Sequence, residues 1–347
     1  TLRVAETIGH AASSSGTDMT AQLPKTLTDA PIPDGVRAAF ELVRPLGQGG
    51  MGAVWLARDV VLDRLVAIKV LLTSAATDAT RERFLREART AAKLSHPHIV
   101  PVHRADESDG QVWYSMGFVD GESLGDRIRE RGALPFTDVV RIMREAAWAL
   151  AYAHARGVIH RDLKGENVMV GDFGEVWIMD WGLAAGFAPA ASGEWIAPPV
   201  SERQEMCAGT PMCIAPEVAL ADPAALGPGI DLFMLGALLY RVLCGHYPYE
   251  SPGGKESLRL AARREMSPLL ERSPAAPFRL VQAAERAMAW EPDDRGDLTG
   301  FVADLRVWLH TSGAAVEAHG LVARAVAALV VGEAAATTGD RYRALAS

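Results

Sequence analysis

Lysine is the residue this chain most nearly lacks. Only Lys25, Lys69, Lys93, Lys164 and Lys255 stand among 35 basic residues, and arginine supplies the rest. Where a chain so given to guanidinium keeps a compact ammonium, a point charge that must meet an anion is a ready explanation. Cysteine is also scarce. Cys207, Cys213 and Cys244 form no C-x-x-C pair and no disulfide framework, which excludes a stapled secreted scaffold and fits a reducing, cytoplasmic setting. Cys207 and Cys213 read as small apolar fillers, with a pair under oxidation the lesser alternative. No apolar run approaches the ~20 residues that a membrane span requires, and the best late one, Leu321 to Val331, is interrupted by Arg324. Surplus positive charge is missing too. A net charge of −8 and a pI near 5.6 argue against a nucleic-acid binder.

What the chain does have is length and apolar patterning. With 347 residues, 49% of them hydrophobic, it exceeds one minimal core, so two lobes plus tails are expected. Residues 1 to about 37 carry Ser13-Ser14-Ser15-Gly16 and Pro24, Pro31 and Pro33 without a sustained period, and read as a flexible lead-in. From Phe40 the pattern changes. Leu42-Val43, Val54 to Ala57, Val66 to Val70 and Val112 to Met116 read as strands of an antiparallel sheet. Asp78 to Leu94 reads as a helix burying Phe84, Ala88, Ala91 and Ala92. After Gly121 the chain turns helical: Val139, Ile142, Met143, Ala146, Leu150 and Ala153 share one face, and Gly157 supplies the stop. Asp231 to Val242 is apolar almost all round, hence buried, and Leu298 to Leu309 is a last amphipathic helix. Beyond Thr311, an alanine-rich tail sets Leu321, Val322, Ala325, Val326, Leu329 and Val330 on one stripe, read as a helix packed on its own domain or a neighbour.

Several segments carry chemistry. Gly47-Gln48-Gly49-Gly50-Met51-Gly52-Ala53-Val54 has glycines that let backbone amides approach phosphate oxygens. A strand follows this loop, where a dinucleotide fold would open a helix. Lys69 comes next in Val66-Ala67-Ile68-Lys69, then Glu87 in Phe84-Leu85-Arg86-Glu87-Ala88. His160-Arg161-Asp162-Leu163-Lys164-Gly165-Glu166-Asn167 precedes a short hairpin and Asp180-Trp181-Gly182, and Gly209-Thr210 leads to Ala215-Pro216-Glu217. In this order, these segments resemble the protein kinases, and Gly-Gly-Met-Gly with Arg-Glu-Ala-Arg most resembles the bacterial eukaryotic-like (Hanks-type) Ser/Thr kinases.

The resemblance implies an α+β, two-lobed protein-kinase fold. The lead-in would be 1–38, the small lobe 39–116, the hinge 117–120, the helical lobe 121–311 and the tail 312–347. ATP would lie in the cleft with Mg²⁺ or Mn²⁺. Leu46, Gly47, Gly49, Gly50, Gly52, Val54, Ala67, Met169, the gatekeeper Met116 and the hinge at Gly117 and Val119 would surround the nucleotide. Lys69 would meet its phosphates, tethered by Glu87, with Glu82 the competitor. Asp162 would accept the substrate proton, Lys164 would neutralise the transferring group, and Asn167 and Asp180 would hold the metal. His160 would be a packing residue, Thr210 a bridge between Asp162 and Lys164, Glu217 the partner of Arg295, and Asp231 the cap of the catalytic loop.

Asp172-Phe173-Gly174 spells the family's metal motif literally, but spacing assigns it elsewhere. Asn167 to Val170 and Val176 to Met179 read as two strands, so Gly171 to Glu175 is their turn and Asp180 the ligand. Trp181 would stand in for the usual Phe, near His160, with small Ala91 making room. Gly165 replaces the commoner Pro, with no consequence legible beyond flexibility.

The activity implied is transfer of the γ-phosphoryl group to Ser/Thr hydroxyls of protein substrates. A second kinase copy would serve autophosphorylation, on Ser192 or Ser201. Glu122 and Glu166 read as an acidic subsite for a basic residue near the acceptor, with a ribose contact the equal alternative for Glu122. The rivals are a pseudokinase scaffold and a small-molecule phosphotransferase. No key position is broken, which disfavours the first, and the Ala-Pro-Glu segment disfavours the second.

Overall fold

The computed structural model describes residues 32–48, 52–72, 77–200, 208–222 and 226–311. The chain divides into two compact units: residues up to Phe84 with Arg104–Ser115, and Leu85–His103 with Met116 onward.

The first unit opens with a short helix α1 (Asp34–Ala39), then β1 (Phe40–Gln48), β2 (Gly52–Asp59) and β3 (Arg64–Leu71). Helix α2 (Asp78–Ala92), β4 (Val102–Ser108) and β5 (Gln111–Gly117) follow, all three divided between the units. The five strands form one sheet in the order β1-β2-β3-β5-β4. Alternation puts Ala57, Val66, Ile68, Val70 and Trp113 into its core, where Val36 of α1 joins them. Two expectations need correction here. The lead-in becomes helical at Asp34, before its pattern was legible, because only Val36 of that short turn is buried. Strand β4 was not expected at all. Its sequence Val-His-Arg-Ala-Asp-Glu-Ser lacks an apolar alternation because it is an edge strand, with one flank in solvent.

The second unit is mainly helical: β6 (Gly121–Ser123), α3 (Leu124–Arg131), α4 (Phe136–Ala155), β7 (Val158–Ile159), β8 (Val168–Gly171), β9 (Val176–Ile178) and β10 (Ala185–Gly186), then, among the described residues, helices. These are α5 (Pro216–Ala219), α6 (Gly229–Cys244), α7 (Gly254–Arg263), α8 (Leu269–Arg272), α9 (Phe278–Ala287) and α10 over 298–311. Helix α4 buries the expected face and ends two residues before Gly157, whose φ of +76° favours glycine. Helix α6 is buried nearly all round, as its apolar sequence requires. With α4 and α9 it forms the main core. The chain is therefore α+β, with a small antiparallel lobe and a larger helical one. Among the described residues no helix is long and apolar enough to cross a membrane. The alanine-rich stripe lies outside the described residues.

One buried ion pair fixes the distal part of the helical unit. Arg295 is 2% exposed and grips Glu217 with Nη1 at 2.6 Å and Nη2 at 2.7 Å. It also donates to the carbonyls of Ala289, Gly229 and Trp290 and lies over the Phe233 ring at 5.0 Å. Every donor on its fork thus finds an acceptor, which is what permits a charge to be buried there. Removing one partner of such a pair typically costs about 3–5 kcal/mol. Arg295→Ala should lose stability of that order in urea denaturation, and a loss below about 1 kcal/mol would refute the anchoring role.

Candidate active site

In the first unit, sheet register sets out one part of the expected site. Val54 on β2 lies opposite Gly47 on β1 and opposite Lys69 on β3, so the three form one row across the sheet. Lys69 Nζ sits 5.8 Å from the Tyr114 ring centroid and 5.9 Å from that of Phe84, so aromatic faces support its charge. Ala67 is buried beside it, and Leu46 is partly exposed near the end of β1. At Gly52 a Cβ would come within 2.8 Å of the Val70 carbonyl, so the close strand approach itself demands glycine. Gly49 and Gly50 lie outside the described residues.

In the second unit, the loop over 160–167 is hung from the core. Asp231, wholly buried near the start of α6, accepts the His160 N–H at 2.8 Å and the Arg161 N–H at 2.9 Å, and bonds His154 Nε2 at 2.8 Å. Arg161 adopts φ +68°, a left-handed conformation that costs a non-glycine residue free energy and persists only where its surroundings hold it. His160 is fully buried with both ring nitrogens engaged: Nδ1 accepts the Asp162 N–H at 3.2 Å, and Nε2 donates to the Met179 carbonyl at 3.1 Å. Those partners assign the neutral tautomer and leave His160 no free position for proton transfer. Its ring packs on Trp181 with centroids 4.7 Å apart.

Asp162 is the focus of the loop. Its Oδ1 accepts from Thr210 Oγ1 at 2.7 Å, and its Oδ2 accepts from Lys164 Nζ at 3.0 Å and Asn167 Nδ2 at 3.3 Å. Lys164 also donates to Thr210 Oγ1 at 3.1 Å, so the expected threonine bridge is present. Burial alone would lower the Lys164 pKa, but Asp162 and Asp180 outweigh it and hold the ammonium above its ordinary range.

The hairpin places the two candidate aspartates as spacing required. Strands β8 and β9 pair Val168 with Ile178, Met169 with Trp177 and Val170 with Val176. Asp172 and Phe173 lie at the exposed tip, the phenylalanine 95% exposed. Asp180 follows β9 at φ +63°, beside Gly182, whose N–H meets its Oδ1 at 3.3 Å. The Met179 N–H donates to the Asn167 carbonyl at 3.0 Å, so strand pairing draws residues 167 and 180 together. Glu87 is 3% exposed while Glu82 is exposed, and a Cβ on Gly182 would stand 3.4 Å from Glu87 Oε2. Of the two glutamates, the structure turns Glu87 inward. Ala92, expected to be buried on the same helix, is exposed, because α2 buries a narrower stripe of Ala88 and Ala91. Met116 is buried at the end of β5, and the Gly117 N–H donates to the Pro101 carbonyl at 2.9 Å, leading into half-buried Phe118 and Val119.

A family profile described as the protein kinase domain matches residues 40–294, most of the chain. The chain belongs to the protein kinase family. Among relatives it is 37% identical to the serine/threonine-protein kinase PknK of Mycobacterium bovis, over 75% of this chain and 22% of that protein. It is 32% identical to the serine/threonine-protein kinase PknD of Chlamydia pneumoniae, over 74% of this chain and 29% of that protein. The chain thus spans less than a third of the length of these relatives, and it falls among the bacterial eukaryotic-like kinases.

Within this kinase domain, the residues that offer a metal ligand set are two oxygens, the Asn167 amide and the Asp180 carboxylate. Asn167 turns its Nδ2 onto the Asp162 carbonyl at 2.8 Å, which leaves the amide oxygen as its other face. Among the described residues no cluster of three His, Cys, Asp or Glu is arranged for a metal. A sparse oxygen pair fits Mg²⁺, which keeps most of its shell as water and substrate phosphate.

Glu122 and Glu166, expected as an acidic subsite, are both paired with arginines. Glu122 accepts from Arg127 Nε at 2.8 Å and forms an ion pair with Arg131 Nη2 at 2.5 Å. Glu166 pairs with Arg241 at 2.9 Å. Burial opposes ionisation of Glu166, yet Arg241 outweighs it and holds the carboxyl below its usual range. Arg241 lies 75 residues from Glu166 in sequence, so no local pattern signalled that pair. His154 was missed for the same reason, standing 77 residues from Asp231. Ser192 is exposed and its Oγ faces the Glu194 N–H at 3.4 Å, while Lys93 holds Glu194 at 2.6 Å. Ser201 and Cys207 lie outside the described residues, and Cys213 is buried as a free thiol.

Asp231 gives the domain a defined acid response. Burial alone would raise its pKa, but the His154 bond and the Arg161 amide hold it below the ordinary carboxylate range. Its contribution is therefore complete above about pH 4, where the unfolded carboxyl is ionised, and is lost as pH falls through the lower folded value. Asp231→Asn should be less stable at neutral pH and lose less on further acidification. Urea denaturation across a pH series checks this, and parallel profiles for the two proteins would contradict it.

Proposed function

We propose that the domain transfers the γ-phosphoryl group of Mg-ATP to serine or threonine hydroxyls of protein substrates. The observation that carries the reading is the triangle of Asp162, Lys164 and Thr210. It holds a nearly buried carboxylate within hydrogen-bond reach of a threonine hydroxyl and of an ammonium two residues on. Asp162 accepts the proton of the incoming hydroxyl and aligns its oxygen. Lys164 offsets charge on the transferring group from the same side, and Asn167 and Asp180 would hold the metal, which neutralises phosphate charge when bound. Lys69 and the glycine turn of the first unit would engage the nucleotide phosphates. The relatives' names, serine/threonine-protein kinase, support the acceptor class. Autophosphorylation between two copies is part of the same proposal.

Purified protein should phosphorylate a basic-protein mixture and itself, with label recovered on phosphoserine or phosphothreonine. Asp162→Asn should lower kcat by about 10³-fold with an unchanged melting temperature, as removal of a general base commonly does. Label confined to tyrosine, or transfer to sugars but not proteins, would overturn the acceptor class. Absence of any turnover would favour the scaffold.

The hairpin supplies a paired test. Asp180→Ala should lose roughly 10³-fold or more in turnover while remaining folded. Asp172→Ala changes an exposed tip, where substitutions stay within about ±0.5 kcal/mol, and should keep nearly full activity. A dead, folded Asp172→Ala beside an active Asp180→Ala would reverse the assignment.

A further inference from the structure

Gly165, where kinases of this resemblance commonly carry proline, has a partner that proline could not have. Its N–H donates to the Tyr247 hydroxyl at 3.0 Å. Arg241 Nη1 donates to the same oxygen at 2.8 Å, and the hydroxyl faces Glu166 Oε2 at 3.5 Å. Two accepted bonds and one donated bond fill the capacity of a phenol oxygen. Arg241 also lies over the Tyr247 ring at 4.4 Å and reaches Glu166 Oε1 at 2.9 Å, so the three side chains close on one another. Tyr247 is 3% exposed, and burial pushes its phenol up, so it stays neutral across the working pH range.

The same residue is also needed sterically. A Cβ at Gly165 would come within 2.9 Å of Arg241 Nη1 and of the Gly125 backbone, and one at Gly125 would come within 2.6 Å of Glu166 Oε1. The loop and the start of α3 therefore touch backbone to backbone. Gly165 opens the single turn Gly165–Asn167, in which the Asn167 N–H bonds the Lys164 carbonyl at 3.0 Å. Whatever fixes the amide of Gly165 thus fixes the residues on either side of it, Lys164 and Asn167.

We propose that Tyr247 is a positioning residue for the phosphotransfer reaction, acting through the Gly165 amide to set Lys164 and Asn167 against Asp162. This rests on the function proposed above. Gly165 and Tyr247 form a coupled pair: the glycine supplies a donor and a close approach, and the tyrosine supplies the acceptor. Arg241 and Glu166 hold that acceptor in place.

The test is Tyr247→Phe in the full chain, which keeps the ring over Arg241 and removes only the oxygen. Tyr240→Phe is the control. It lies on α6, and its hydroxyl donates to the Ser267 carbonyl at 2.9 Å, so it loses a comparable bond away from the loop. In Tyr247→Phe, hydrogen exchange at the Gly165 amide should accelerate and kcat should fall roughly tenfold, with KM for ATP within about twofold, the scale of one lost buried hydrogen bond. Tyr240→Phe should lose stability and keep its kcat. Unchanged exchange at Gly165, an unchanged kcat in Tyr247→Phe, or an equal kcat loss in Tyr240→Phe would each overturn the proposal. A wild-type domain that transfers no phosphate overturns the functional reading instead, and exchange at Gly165 then decides the loop contact by itself.

Discussion

Asp231 carries a carboxylate into the interior of the helical unit, and the loop that bears Asp162 is arranged around the need to solvate it. Burying an unpaired charge costs several kcal/mol, and α6 is too apolar to supply partners of its own. The donors come from elsewhere: the amides of His160 and Arg161, and the ring of His154 from α4. Presenting two successive amides to one carboxylate bends the chain, which accounts for the left-handed backbone of Arg161. From there the bonds propagate. His160 passes the constraint to the Asp162 amide on one side and to the Met179 carbonyl on the other, and Met179 returns it to Asn167. Asp162, Asn167 and Asp180 are thus placed by one continuous set of hydrogen bonds that begins at a buried charge.

The scarcity of lysine gains a physical reading at Lys164. A guanidinium there would present a planar fork to Asp162 and tend to occupy both carboxylate oxygens. The ammonium meets Oδ2 only, while Thr210 takes Oδ1 through a hydroxyl that can rotate. The arginines have the opposite task. Arg295 fills the two oxygens of Glu217 and three carbonyls besides, and Arg241 stacks on Tyr247 while pairing Glu166. Arg295 and Arg241, which hold structure, are forks, and the cation beside Asp162 is a point charge.

How much was legible in the sequence follows from the range of each interaction. Helices α4 and α6 were readable because their apolar spacing is set by the core that they enter. The hairpin before Asp180 was readable because strand, turn and strand are contiguous, and that locality is why the literal Asp172-Phe173-Gly174 could be set aside. Strand β4 was not readable, since an edge position removes the alternation that announces a strand. The pairing of Glu122 and Glu166 with arginines was hidden for a different reason. A lone glutamate looks the same in sequence whether or not a guanidinium from another helix neutralises it. Gly165 shows the same limit: its meaning depends on Tyr247, 82 residues on.

Trp181 shows how a departure from pattern can leave a site intact. The indole is 1% exposed, larger than the usual phenylalanine, and packs in the same core as Ala91 and against the ring of His160. Its Nε1 is buried with no hydrogen-bond partner among the described residues. An unmet donor costs about 1–3 kcal/mol, which the added apolar area of the larger ring offsets at roughly 25 cal/mol per Å². The two effects are of similar size and opposite sign, so the aromatic at this position is decided by the space that the neighbours leave. Asp180 is decided by other means, by the end of β9 and the bond from Gly182. Because backbone pairing sets the aspartate and packing sets the aromatic, the second can vary without moving the first.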